Sequence, residues 1–236
     1  MMKAIKNWDN KTWLSSKKYI NSFNSFLLKN FSFTKNSKIL DIGCGRGKII
    51  GSISNRLKLT NKPFGIDVED HLDKDKKIIF KKIDALSFLK KNTTLFDIIM
   101  IKQTIHFLKL SQISKLINLC KKNLNKNGKI IISTLDPNEN KIPTFKLMKR
   151  KLEKSLKRDI EILNFIKKSN KHLIKKFIFT VNISKKKYLK MIKNRYISTL
   201  LTMSKIQIDN GIKELDKNYS SRIKFKDKLV CLILKK

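Results

Sequence analysis

The stretch KILDIGCGRGKII, residues 38–50, places three of the chain's seven glycines within five residues, directly after a short apolar run. It reads as a buried strand followed by a helix, so the glycines lie at a strand-to-helix junction. In open parallel sheets this junction lies at the carboxyl edge of the strands, where ligands bind. Glycine allows a tight turn there and lets a ligand approach the backbone. The stretch therefore predicts a ligand site beside Gly43, Gly45 and Gly47.

The spacing of these glycines excludes two common nucleotide motifs. A dinucleotide fingerprint needs a glycine at position 48, where the chain has Lys48. A phosphate-binding P-loop needs a glycine at position 42 and a Ser or Thr after the lysine, but Ile42 and Ile49 stand there. The glycine stretch therefore matches neither the dinucleotide motif nor the P-loop motif.

Strand and helix patterns alternate on both sides of the glycine stretch, which predicts a parallel sheet covered on both faces. Apolar runs predict strands near residues 37–43, 62–68, 77–84, 96–102, 128–134, 175–184 and 221–236. Helical spacing predicts helices near residues 17–31, 46–58, 111–124, 144–170, 185–203 and 208–218, with Ser111 as an N-cap and residues 144–170 as one helix or two. The predicted fold class is α/β: a doubly wound, Rossmann-like, seven-stranded and mostly parallel sheet, with an antiparallel last strand and a helical cap inserted before it.

The 236 residues predict a single domain, with no linker that would separate a second one. Its expected parts are an N-terminal helical lid (1–36), a ligand-binding core (37–135) and an acceptor-side region of helices and closing strands (136–236). The sequence has no signal-peptide pattern and no apolar run of membrane-spanning length. Its three scattered cysteines lack metal-ligand spacing and read as free thiols, so no metal is predicted and a cytoplasmic location is expected.

Five ordered motifs resemble those of class I S-adenosylmethionine-dependent methyltransferases, of the kind that act on small molecules. DIGCGRG, residues 41–47, resembles the glycine motif of that family. FGIDV, KIDAL, LFDIIMIKQTIHFL and LNKNGKIIIST follow in the family's order, and together the matches cover residues 39–134. The resemblance implies an enzyme that transfers a methyl group from S-adenosylmethionine.

The resemblance also implies which residues bind the cofactor. Asp41 would help to hold the methionine ammonium, and Asp67 would accept hydrogen bonds from both ribose hydroxyls. Asp84 would meet the adenine amino group, with a backbone N–H from Ala85 to the ring. The remaining residues that the resemblance places along the cofactor are Gly43, Cys44, Gly45, Gly47, Val68, Lys102 and Gln103.

Two segments depart from the family's pattern. The connection from Asp67 to the third strand is too short for the usual helix, which removes part of the wall beside the adenine. The family's PGG turn is reduced to Asn127 and Gly128.

The acceptor side has three candidate residues. His106 falls where the acceptor lies in many relatives, so it is either the proton acceptor or a pocket-lining residue. Arg195 and Tyr196, in the cap before the last strand, are candidate substrate-binding residues, with an amphipathic cap helix as the alternative. Signatures of nucleobase amino or carbon methylation are absent, so we expect a small-molecule acceptor, methylated at oxygen. His71 and His172 are expected at the surface, and Trp8 and Trp13 in the N-terminal lid or in simple packing.

The net charge of +37, from 55 basic and 18 acidic residues, leaves a second reading open. A polyanion partner would make the chain an RNA methyltransferase of the same fold. Lysine-rich compositional drift explains most of the charge equally well, so a nucleic-acid partner is not favoured. A third possibility, a catalytically weak cofactor-binding protein, follows from the missing helix. The oligomeric state is not encoded in any pattern.

Overall fold

The computed structural model describes residues 12–236. Its strands are β1 (Ile39–Ile42), β2 (Phe64–Asp67), β3 (Ile79–Lys82), β4 (Phe96–Lys102), β5 (Leu124–Leu135), β6 (His172–Ser184) and β7 (Arg222–Lys235). Its α-helices are α1 (Lys17–Asn30), α2 (Lys48–Leu57), α3 (Ala85–Lys91), α4 (Leu110–Lys122), α5 (Lys146–Ser169), α6 (Lys185–Lys193) and α7 (Lys205–Asn218). Two 3₁₀ turns lie at Ile105–Phe107 and Ser198–Leu200.

The seven strands form one sheet in the order β3-β2-β1-β4-β5-β7-β6. The pairs from β3 to β5 are parallel, whereas β7 runs antiparallel to both β5 and β6. Helices α6 and α7 lie between β6 and β7 in the chain, where the cap was expected. The predicted fold class is therefore confirmed.

The sheet separates two apolar cores. One core contains α1, α2 and the cap helices, packed on the sheet face that carries Ile39, Met100 and Ile131. The other contains α3, α4 and the second half of α5, packed on the face that carries Leu40, Ile101 and Ile132. Because both faces are covered, the central strands are apolar on both sides, as their sequences predict.

Three details differ from the sequence-based expectations. Helix α4 begins after Lys109, whose backbone N–H donates to Gln112 Oε1 at 2.9 Å, so Ser111 lies inside the first turn and is not the N-cap. Helix α3 was not predicted, because its seven residues are too few for a periodic pattern. The helix predicted near residues 185–203 ends at Lys193, and a separate 3₁₀ turn follows at Ser198–Leu200. Residues 146–169 form one helix, which is one of the two alternatives expected. None of the helices within residues 12–236 combines the length and apolarity that crossing a membrane requires.

Candidate active site

The glycine loop is folded back against β2. The backbone N–H groups of Gly43 and Cys44 both donate to the Ile66 carbonyl, at 2.9 and 3.1 Å. Gly43, Gly45 and Gly47 have φ values of 71°, 55° and 68°, a region that other residues adopt only under strain. The sequence uses glycine here because the backbone must turn left-handed three times between β1 and α2.

Space around the loop is distributed unevenly. A Cβ at Gly43 would lie 2.2 Å from Thr104 Oγ1, and one at Gly47 would lie 2.1 Å from Ile78 Cδ1. A Cβ at Gly45 would meet no atom of another residue within 4 Å. Gly43 and Gly47 are therefore required for packing, while Gly45 faces open space in which a ligand can lie against the backbone.

Asp41 lies at the end of β1 and is only 4% exposed. Within the described part of the chain, its Oδ1 has no hydrogen-bond partner. Burial raises the pKa of Asp41 to about 7, the charge of Lys102 lowers it, and the charge of Asp67 raises it. A buried carboxylate oxygen without a partner fits a cationic ligand group such as an ammonium.

Asp67 ends β2 on the other side of the loop. Its Oδ2 accepts the Gly45 N–H at 2.9 Å, and its Oδ1 accepts the Glu69 N–H at 3.0 Å. Burial alone would raise its pKa, but the hydrogen bonds from His71, Glu69 and Gly45 outweigh burial and lower it. Asp67 is therefore ionised at neutral pH and still has acceptor capacity for hydroxyl groups.

His71 is not at the surface, so that expectation was wrong. It is 3% exposed, and its Nε2 lies 3.4 Å from Asp67 Oδ1. The contact is made to Oδ1, whereas the glycine loop donates to Oδ2 through Gly45. No sequence periodicity pointed to it, because residues 68–78 form an irregular connection.

That connection takes the place of the missing helix and packs on the glycine loop directly. Ile78 is buried against Gly47, and the Asp75 N–H donates to the Arg46 carbonyl at 2.9 Å. Val68, next to Asp67, remains 54% exposed. An exposed apolar side chain beside the Asp67 carboxylate is suited to covering a flat ligand ring.

Asp84 and Ala85 lie one strand further, after β3. The Asp84 side chain caps α3 by accepting the Ser87 N–H at 2.9 Å, and hydrogen bonding from Ser87 lowers its pKa. Ala85 is the first residue of that helix. The adenine contact of both residues stays a prediction, and the Asp84 carboxylate has a structural task as well.

Lys102 and Gln103 end β4 between the two halves of the sheet. Lys102 Nζ donates to Gln103 Oε1 at 2.9 Å and lies 5.3 Å from the centre of the Tyr19 ring. Gln103 has a φ of 52°, and its N–H donates to the Ser133 carbonyl at 2.7 Å. This left-handed turn brings both side chains beside the Asp41 end of the site.

His106 lies in the 3₁₀ turn after β4 and is half-buried beside Phe107, with ring centres 4.1 Å apart. Burial, followed by the charge of Arg158, lowers the pKa of His106 to about 4. The imidazole is therefore neutral at pH 7 and can accept a hydrogen bond. Whether it takes a full proton stays a prediction.

Arg195 and Tyr196 are held by the cap itself. Arg195 Nη1 donates to the carbonyls of Leu200, at 2.7 Å, and Met203, which ties together residues 195–203. Tyr196 is 3% exposed and lies edge-on to Trp13, with ring centres 5.2 Å apart. Contact with a substrate stays a prediction for both. Trp8 lies outside the described residues.

Comparison with known proteins gives a clear answer only for structure. No family model matches the chain, and no curated protein matches its sequence. A putative methyltransferase from an antibiotic biosynthesis pathway of Anabaena variabilis superposes with a TM-score of 0.62 at 14% identity, covering 89% of this chain and 95% of that one. The plantazolicin methyltransferase BpumL in complex with SAH gives 0.51 at 20% identity, covering 97% and 87%.

The same fold also occurs in a protein with a different reaction in its name. A precorrin 8w decarboxylase from Methanobacterium thermoautotrophicum superposes with a TM-score of 0.52 at 12% identity, covering 90% of this chain and 88% of that one. The chain therefore has the Rossmann-like fold seen in S-adenosylmethionine-dependent methyltransferases. Its activity has to be argued from its own site.

Proposed function

We propose that this protein is a methyltransferase that uses S-adenosylmethionine and methylates a small molecule at oxygen. The observation that carries the proposal is the buried Oδ1 of Asp41, which has no hydrogen-bond partner within the described residues and belongs to the strand that leads into the glycine loop with its open space at Gly45. An amino-acid ammonium group satisfies that oxygen, and the methionine and ribose portion of the cofactor fits against a backbone that carries no side chain. The neighbouring proteins named as methyltransferases support the assignment through their fold.

The remaining cofactor contacts follow the order of the strands along the carboxyl edge. Asp67, ionised and fixed by His71, accepts from the two ribose hydroxyls. Val68 covers one face of the adenine, and Asp84 with Ala85 lies at its edge. Lys102 and Gln103 border the methionine end.

The chemistry needs little from the protein besides positioning. When bound, the cofactor supplies a methyl group on a positively charged sulfur, an electrophile that needs no further activation. The chain orients the acceptor hydroxyl, excludes water and offers neutral His106 as the acceptor of the hydroxyl proton. Arg195 and Tyr196 would shape the acceptor side of the pocket from the cap.

Calorimetry with SAH tests the cofactor half of this proposal. We expect the wild type to bind, and Asp67→Asn to bind much more weakly, because the amide cannot accept from both ribose hydroxyls and the Gly45 N–H together. Asp97→Asn is a suitable control, since Asp97 lies at the amino end of β4 and its carboxylate accepts the Lys38 N–H at 2.8 Å. No detectable binding of SAH by the wild type would overturn the proposal.

Transfer of labelled methyl groups into a cell extract tests the acceptor half. The extract is separated into small-molecule, RNA and protein fractions, and we expect the label in the first. Label in RNA, together with affinity that falls steeply with salt, would instead support the alternative suggested by the net charge of +37. Binding of SAH without label in any fraction would leave a cofactor-binding protein without turnover.

A further inference from the structure

A row of polar side chains is buried beneath α1 on one face of the sheet. Asp41 of β1 lies beside Met100 of β4 in the register, Lys102 beside Ser133 of β5, and Ser133 beside Cys231 of β7. Because alternate residues of a strand share a face, Asp227 lies on the same face as Cys231, at the carboxyl edge. The row therefore crosses one face of the sheet from β1, at the proposed cofactor site, to β7.

Two atoms at the end of this row have no hydrogen-bond partner within the described residues. Asp227 is 1% exposed; its Oδ2 accepts the Trp13 Nε1–H at 2.9 Å, but its Oδ1 is left over. Tyr19 is fully buried, and its hydroxyl is also left over. Buried polar atoms without partners cost stability, so each of them needs an explanation.

The two atoms belong to one site. Burial raises the pKa of Tyr19, and the negative charge of Asp227 raises it further. Phe179, the direct cross-strand partner of Asp227, packs edge-on against the Tyr19 ring with centres 5.1 Å apart. The unpartnered Oδ1 of Asp227 and the unpartnered hydroxyl of Tyr19 therefore lie in the same aromatic surroundings.

Aromatic rings complete that environment on the outer side. Trp13 packs edge-on against both Tyr196 and Phe225, with centres 5.2 and 5.1 Å away. Trp13 belongs to residues 12–16, which precede α1 and form neither a helix nor a strand. A site closed by such a segment suits a ligand with a flat apolar body and one polar group.

Lys102 connects this site to the proposed cofactor site. Its Nζ lies 5.3 Å from the centre of the Tyr19 ring. Burial raises the pKa of both Asp41 and Asp227, and the positive charge of Lys102 opposes that rise at both carboxyl groups. Asp41 lies on β1 and Asp227 on β7, on opposite sides of β4, which carries Lys102. A ligand at Asp227 is thus a neighbour of the cofactor and does not compete with it.

We propose that Asp227 and Tyr19 recognise the methyl acceptor, and that the acceptor is a small aromatic molecule that carries, besides the hydroxyl to be methylated, an amine or hydroxyl group for recognition. The N–H or O–H of that group donates to Asp227 Oδ1 and lies against the Tyr19 hydroxyl, while Trp13 closes over the ring. This inference rests on the proposed methyl transfer and names its substrate class. An anionic acceptor fits less well, because a carboxylate has no donor for Asp227 Oδ1.

Benzylamine and benzoate test this inference, since they share a ring and differ in the polar group. Their affinities are measured by ligand-observed NMR with the protein saturated with SAH. A chain of net charge +37 attracts anions at its surface, so non-specific binding favours benzoate. We expect the opposite order, with benzylamine bound and benzoate bound at least about fivefold more weakly, the equivalent of one hydrogen bond.

Two variants assign the binding to the named atoms. In Asp227→Asn the amide oxygen accepts from Trp13 and the NH₂ faces the ligand, whereas Tyr19→Phe removes the hydroxyl. Each variant is expected to bind benzylamine about fivefold more weakly. Tyr188→Phe is the matched control, because the Tyr188 hydroxyl already donates to the Pro143 carbonyl and lies 3.1 Å from the Tyr196 hydroxyl. We expect Tyr19→Phe to keep or raise Tm, and Tyr188→Phe to lower Tm without changing benzylamine affinity.

The outcomes separate this inference from the proposal beneath it. If the wild type does not bind SAH, the proposed methyl transfer itself is overturned. Intact SAH binding with benzoate preferred over benzylamine, or with benzylamine affinity unchanged in Tyr19→Phe and Asp227→Asn, overturns only the acceptor site.

Discussion

Asp41 is the residue whose charge state controls the proposed cofactor site. Burial raises its pKa to about 7, so the carboxyl group is partly protonated at neutral pH in the free protein. An ammonium pairs with the carboxylate and not with the neutral acid. Cofactor affinity should therefore depend on pH in a range where ordinary aspartates do not titrate.

We expect the affinity for SAH to rise as the pH increases from 5.5 to about 7 and to level off above it. Below the pKa, the expected change approaches about tenfold per pH unit, because each unit corresponds to one proton released on binding. Asp41→Asn should bind SAH more weakly and without this dependence. Asp84→Asn serves as the control for the pH dependence. The pKa of exposed Asp84 is lowered rather than raised, so this variant should keep the pH dependence of the wild type. A flat pH dependence of the wild type would contradict the pairing.

The same raised pKa makes a prediction about the stability of the free protein. The folded protein holds a proton on Asp41 that the unfolded chain loses near pH 4, so this group's contribution to the free energy of unfolding falls as the pH rises from about 4 to 7. Asp41→Asn removes that contribution. Denaturant unfolding at pH 5 and pH 7.5 should therefore show a larger gain for Asp41→Asn at the higher pH, and equal gains at both would contradict it.

His106 makes a prediction of its own about the rate of methyl transfer. Its pKa of about 4 keeps the imidazole neutral across the physiological range. Protonation of His106 should therefore not slow the reaction between pH 5.5 and 8. We expect His106→Ala to lower kcat by about a hundredfold, the lower range for a lost general base, with SAH affinity unchanged. If His106 only lines the pocket, kcat will change far less than the KM of the acceptor.

Among the elements of the fold, most could be predicted from the sequence because the signals are local. The parallel strands β1, β4 and β5 contain near-continuous apolar runs, and α4 shows a buried stripe at Ile113, Leu116 and Ile117. The helix α3 was missed because it is short and follows Asp84, whose capping role looks the same in sequence as a ligand contact. The turn at the glycine loop was predicted, since glycine favours the left-handed backbone that Gly43, Gly45 and Gly47 adopt.

The acceptor side could not be predicted to the same degree, because its contacts join distant parts of the chain. Trp13 and Asp227 are 214 positions apart, and the antiparallel pairing of β7 with β5 and β6 brings Asp227 to the carboxyl edge. His71 was misplaced for a related reason, since its burial depends on an irregular connection folding back on Asp67. Periodicity carries no information about either contact.

The proposed cofactor role of the glycine loop can be tested by making the same substitution, Gly→Ala, once in the loop and once in the cap. Gly45→Ala places a methyl group in open space at a φ of 55°, so we expect a loss of about 1–2 kcal/mol in the free energy of unfolding from backbone strain. The methyl group also occupies the surface on which the cofactor is proposed to lie. SAH affinity should therefore fall by about tenfold or more, ~1.4 kcal/mol.

Gly211→Ala is the matched control in the cap. A Cβ on Gly211 of α7 would lie 2.6 Å from the ring of Phe145, which overpacks the contact between α7 and the start of α5. We expect a loss of about 1–3 kcal/mol in the free energy of unfolding, with SAH affinity unchanged. Equal effects of both substitutions on SAH affinity would mean that Gly45 acts through stability alone.

At the scale of the whole molecule, the net charge of +37 acts against the folded state. The few acidic groups are drawn into local clusters; Glu139 pairs with both Lys176 and Lys228, and those hydrogen bonds lower its pKa to about 2. Such surface pairs contribute little, whereas repulsion among the many remaining lysines is long-ranged and is screened by salt.

We therefore expect Tm to rise between 20 and 500 mM NaCl, a range that takes the Debye length from roughly 20 Å to below about 5 Å. Glu139→Gln should increase the salt response, because it removes an attraction and leaves the repulsion. A Tm that fell with NaCl in the wild type would show instead that local ion pairs dominate, and would favour a surface organised for a specific polyanion over one enriched in lysine throughout.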